Sequence, residues 1–180
     1  PKSGDVSPKT LIESAVSLLQ TAKRSPEAHQ IAAQRLNQYL QNSRDSGKAL
    51  IPPLNPELRR NLTGVLKPRQ IQQVEAEQFD RPDSLHLENC FLNRDIVAHI
   101  TAGVRDDLAK AETIFDWVIR NIQLVGREDL PPLFVSTRIT LLVGMGRELE
   151  RAWTFMELLR QAGLESVLLA IHETDSETKE

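Results

Sequence analysis

Three times in the first sixty residues a capping side chain stands directly before a proline: Ser7-Pro8, Ser25-Pro26 and Asn55-Pro56. Proline sets φ near the helical value and has no N–H to leave unpaired, so it suits the first position of a helix, and the residue before it is held extended, where its side chain caps the turn. The chain is therefore constrained to begin as separate helices rather than as a sheet. Leu11, Ile12, Ala15, Val16 and Leu19 make one apolar stripe, and Ala28, Ile31, Ala32, Leu36, Tyr39 and Leu40 make a second. Two such stripes predict an antiparallel helical hairpin. Asn55-Pro56 opens a short third helix to Arg60 or Leu62, with Gly64 as terminator and Lys67-Pro68 as punctuation. A single hairpin is not a solenoid, which needs about three stacked units to bury their faces.

Composition narrows the class. The 180 residues (20.3 kDa) are 40% hydrophobic and 26% charged, ordinary globular values that exclude a disordered or fibrous chain. With 22 Lys+Arg against 25 Asp+Glu the formal charge is -3, which supplies no long-range attraction to nucleic acid or to an anionic membrane. No run approaches the roughly 18 apolar residues of a spanning helix, so no direct membrane insertion is expected. The single cysteine, Cys90, allows no intrachain disulfide and no Cys-rich zinc module; no cofactor and no metal are expected. The start, Pro1 to Asp5, lacks a methionine and any signal-like run, and the end, Glu173 to Glu180, is polar and acidic. Both are as expected of a trimmed piece of a longer protein.

Beyond residue 83 the pattern is strongly helical. Leu85, Leu87, Phe91, Leu92, Ile96, Val97 and Ile100 recur at three- and four-residue spacing up to Gly103. A further helix is predicted from Asp106 or Asp107, whose carboxylates suit a helix N-terminus, to about Asn121. A charged, proline-bearing loop follows from Gly126 to Pro132. Ile139 to Val143 reads as a short strand or a buried turn, the last helix runs from Arg147 to Ala162 and closes at Gly163, and Ser166 to Ile171 is the best strand candidate.

The last third also carries a pattern of fixed spacing. Gly144-Met145-Gly146 is followed by Ala152, then Leu158-Leu159-Arg160, Gly163 and the apolar run Val167 to Ile171, while Ile114-Phe115-Asp116-Trp117-Val118-Ile119-Arg120-Asn121-Ile122 lies upstream. Residues 105 to 172 thereby resemble the core of the transglutaminase-like superfamily, whose pattern is a Gly-x-Gly-x-Cys turn, an Ala four residues later, a Leu-Leu-Arg-x-x-Gly-Ile helix end and a strand. The resemblance implies a papain-like core in which a thiolate attacks an amide carbonyl, activated by a His and oriented by an Asp. Here the sequence departs from that family: Glu148 stands where the cysteine is expected, and the His and Asp are expected on strands after Ile171. His172 comes too soon to match that His and reads as the end of the strand. A carboxylate does not replace the thiolate, because the mixed anhydride it would form lies uphill of an amide. A helix N-terminus stabilises a carboxylate as well as a thiolate, which explains why Glu is tolerated there.

Other groups in the sequence admit both a functional and a purely structural role. Cys90 and His86 are four apart on one helical face, which makes them an alternative nucleophile pair or half a metal site; a partly buried free cysteine is the simpler reading, since zinc needs three or four ligands and His99 lies nearly opposite. Gly144-Met145-Gly146 lacks the rest of a phosphate-binding fingerprint and reads as a tight turn. Glu148, Glu150 and Arg151 form an acid/base group or a solvated first turn. Trp117 and Trp153 read as core residues, with Trp153 filling space near the degenerate site.

The expected fold is α+β and predominantly helical: a helical hairpin over 1–50, a linker and helical extension over 51–102, a partial transglutaminase-like core with one or two strands over 103–172, and a polar tail over 173–180. The expected function is a non-catalytic transglutaminase-like domain that binds a protein or peptide, or serves as a structural module of a larger protein. The degenerate site comprises Glu148, Arg151, Trp153 and Gly146. Two alternatives stand beside it: a cysteine-dependent acyl-transfer or peptidase enzyme using Cys90 with His86 or completed beyond residue 180, and a scaffold acting through the N-terminal hairpin. The resemblance favours an exported or periplasmic bacterial protein.

Overall fold

The structure, a computed structural model, describes residues 7–21, 25–47, 52–126 and 136–169. It is predominantly helical, with eight α-helices and one two-stranded parallel sheet among these residues. The chain divides into two compact units, Pro1–Glu88 and Asn89–Glu180.

In the first unit α1 (Pro8–Thr21) and α2 (Pro26–Asp45) pack as the expected hairpin. Leu11, Ala15 and Leu19 of α1 and Ala28, Ala32, Ala33 and Leu40 of α2 are buried. Ser25 caps α2 through its hydroxyl, which accepts from the Ala28 N–H, and Asn55 caps α3 (Pro56–Thr63) by accepting from the Glu57 N–H at 2.8 Å. Lys67-Pro68 does more than punctuate. Pro68 opens a further helix, α4 (Pro68–Val74), by the same first-position preference that starts α1, α2 and α3. The segment before α5 (Arg81–Ile100) is pinned to α2 by Asn37, whose amide donates to the Phe79 carbonyl at 2.8 Å and accepts from the Phe79 N–H at 2.7 Å. Buried His29 meets Glu88 at 2.8 Å, joining α2 to the first part of α5.

In the second unit α6 spans Asp107–Asn121, and Asp106 caps it by accepting from the Ala109 N–H. Its core is Val97 from α5, Ile114, Val118 and Ile122 from α6 and its end, and Leu158 and Leu159 from α8 (Glu148–Gln161). The chain leaves α6 as β1 (Gln123–Leu124), which pairs in parallel with β2 (Met145–Gly146), Gln123 opposite Met145 and Leu124 opposite Gly146.

Two strand expectations are corrected. Ile139 to Val143 is neither strand nor buried turn but most of α7 (Thr137–Val143), which starts after Ser136 and stops at Gly144 with φ 69°. A five-residue apolar run fits a strand or a buried helix equally, and here it is helical and closed by the left-handed Gly144. Ser166 to Leu169 is not in a strand, and Val167 and Leu169 are 80% and 84% exposed. Ala170, Ile171, the expected strand end at His172, the polar tail and most of the Gly126 to Pro132 loop lie outside the described residues.

Candidate functional site

The turn between α7 and α8 is built on two glycines. Gly144 takes the left-handed conformation that ends α7, and a Cβ there would stand 3.3 Å from the Asn121 carbonyl oxygen. Gly146 is buried where β2 enters α8, and a Cβ there would meet Thr140 Cγ2 at 3.1 Å and Glu150 Cβ at 3.2 Å. A Cβ at either position would force its neighbours to give by a few tenths of an ångström, and at Gly144 it would also sit on a left-handed backbone. The turn of α7 on one side and the first turn of α8 on the other are thus fixed relative to β1.

The first turn of α8 is solvated only in part, because one of its two glutamates is withdrawn from water. Glu150 is buried, 3% exposed, and its carboxylate accepts from the Arg147 backbone N–H at 3.1 Å and from the Arg147 guanidinium. Arg147 holds this carboxyl below the ordinary carboxylate range, overcoming the opposing effect of burial. The Glu three residues into the helix satisfies an orphan backbone donor, as in a capping box, while the residue before the helix contributes a cation instead of a hydroxyl. The Arg147-x-x-Glu150 spacing was the sequence signal for this pair.

Glu148, by contrast, is exposed on the same turn. It lines a groove of about 440 Å3 together with Arg151 and Ala152 of α8, Phe155 one turn further on, Phe115, Val118 and Ile119 of α6, and Leu124 of β1. Phe115 and Phe155 meet edge to face, ring centroids 5.6 Å apart and planes at 73°. Phe115, Ile119 and Leu124 are 50%, 44% and 50% exposed, which is high for residues of this size sharing one concave surface. Phe115 and Ile119 belong to the upstream segment Ile114 to Ile122 that carries the resemblance, but nothing in the sequence distinguished a groove wall from a core face.

The expected site residues are divided among three places. Glu148 and Arg151 share the groove; Gly146 lies beneath the turn, against Thr140 and Glu150. Trp153 does not fill space beside Glu148. It is 41% exposed and lines a separate cavity of about 690 Å3 with Met156, Glu157, Arg160 and the chain from Gly163 to Val167. Successive positions on a helix point about 100° apart, so Trp153 leaves the groove that Arg151 and Ala152 line. Trp117 packs partly buried against the core, as expected.

Cys90 and His86 both lie on α5, His86 exposed and Cys90 half-buried. Burial pushes the Cys90 thiol up, and the charge of Glu157 adds to this, with Arg160 and a hydrogen bond to Gln161 acting against. That environment disfavours a thiolate nucleophile, which needs a depressed pKa. Among the described residues no three His, Cys, Asp or Glu side chains gather as a metal site, and no helix is long and apolar enough to cross a membrane.

No protein-family profile matches the chain, nor does any curated protein or solved structure.

Proposed function

We propose that the second unit is a non-catalytic, transglutaminase-like binding module that takes a protein or peptide segment in the groove between α6 and α8. The observation that carries this is the groove's composition: an apolar floor of Phe115, Ile119, Leu124 and Phe155 with Glu148 at its side. The resemblance puts a nucleophile at Glu148, and a carboxylate there leaves a surface suited to holding a chain but without a thiolate to cleave or acylate it. Exposed apolar side chains gathered in a concavity with a polar margin are the usual form of a segment-binding surface.

Selection from a phage-displayed random peptide library tests this. The wild-type chain is expected to enrich apolar peptides that bind it in solution, and Ile119→Glu, a change at a half-exposed position, is expected to abolish their binding while helicity is kept. Failure to enrich any sequence, or retention of binding by the variant, contradicts the groove as the site. The absence of chemistry is tested separately. Incorporation of a primary amine into a glutamine donor, or hydrolysis of a peptide, lost in Glu148→Ala, would refute the non-catalytic reading.

A further inference from the structure

Resting on the reading of this groove as a binding surface, we infer that its occupant is an apolar peptide segment bearing a carboxylate, and that Arg151 is the residue that selects it. The inference comes from how the charges at the start of α8 are used. Arg147 is occupied by Glu150, with Glu148 close enough to act on the same guanidinium. Arg151 is half-buried in the wall of the apolar groove, and its guanidinium makes no hydrogen bond and no ion pair among the described residues. Glu148, one turn away, does not close on it.

A guanidinium carries five N–H donors in a planar fork and stays charged at every accessible pH. Lining the same groove as Phe115, Ile119 and Phe155, with no protein acceptor on its guanidinium among the described residues, it favours an occupant that brings an acceptor into the groove. A carboxylate matches the fork best, by two parallel hydrogen bonds. The same occupant needs aliphatic or aromatic side chains to cover the groove floor, so an Asp or Glu beside apolar residues meets both requirements. Glu148 sits at the exposed margin, where water screens its repulsion of an acidic ligand.

The probe is the tightest peptide recovered from the random library and its counterpart in which each Asp or Glu becomes Asn or Gln. Fluorescence anisotropy measures both against the full chain, Arg151→Gln and Arg151→Lys. The acidic peptide is expected to bind the wild type roughly 10- to 100-fold more tightly than the amide peptide, the range of a charged hydrogen bond. Arg151→Gln is expected to remove that preference and Arg151→Lys to keep part of it. Equal binding of the two peptides to the wild type, or a preference unchanged in Arg151→Gln, overturns the role of Arg151 and leaves the groove standing. Recovery of no peptide, or binding that survives Ile119→Glu, overturns the groove itself.

Discussion

Glu150 turns back on Arg147: from three residues inside α8 its carboxylate takes both the backbone N–H and the guanidinium of the residue that precedes the helix. The pair closes the first turn of α8 against Gly146, on the same turn that carries Glu148 and leads to Arg151. A carboxyl whose pKa is lowered by folding stabilises the fold above its unfolded pKa, and that contribution is lost as pH falls through the lowered value. Thermal stability should therefore decline on acidification below about pH 4.3, the unfolded glutamate value. Glu27 and Glu75 are shifted in the same direction, by Ser25 and Arg59 respectively, and contribute to the same decline. Comparing melting temperatures of wild type and Glu150→Gln from pH 6 to pH 3 isolates Glu150: the variant should be less stable at pH 6 and lose less on acidification.

The glycine turn makes a steric prediction. Gly146→Ala drives a methyl into Thr140 and the Glu150 Cβ, and neither neighbour is the loose end of a long side chain. A loss of about 1–3 kcal/mol is expected, the usual cost of overpacking. Gly144→Ala adds about 1–2 kcal/mol of left-handed backbone cost to its contact with the Asn121 carbonyl. Urea unfolding of each variant measures both, and stability unchanged at Gly146 would contradict the packing of β2 against α7 and α8.

Cys90 should be a slow thiol. Burial and Glu157 raise its pKa, so its alkylation by iodoacetamide at pH 7 should be slower than that of a free cysteine and should accelerate only above the ordinary thiol range. Rapid, stoichiometric modification of the folded chain at pH 7 would favour the alternative of a cysteine-dependent enzyme.

How much of this was legible in the sequence depended on whether the signal was local. Ser25, Asn55 and Asp106 announce their helices because the cap is made by the residue itself to a backbone N–H two or three positions on. Pro68 carries the same signal less plainly, because the residue before it is Lys67, which is not a usual capping residue. The run from Ile139 to Val143 was ambiguous because it is too short for its period to be read; Gly144 at its end was the better guide. β1 and β2 are two residues each and lie more than twenty residues apart in sequence, so no alternation announces them. The expected site was partly assembled. Glu148 and Arg151 share a wall because they are three apart on one helix, whereas the opposite wall comes from α6, and the spacing of α8 residues cannot reveal what faces them.

The most direct measurement is a map of where a selected peptide sits. Backbone amide NMR shifts of the chain titrated with that peptide should change along Phe115, Ile119, Leu124, Arg151, Ala152 and Phe155, the residues that form the two groove walls. Changes confined to the helical hairpin, between Leu11 and Leu40, with the α6 and α8 resonances unmoved, would contradict it and place binding on α1 and α2 instead.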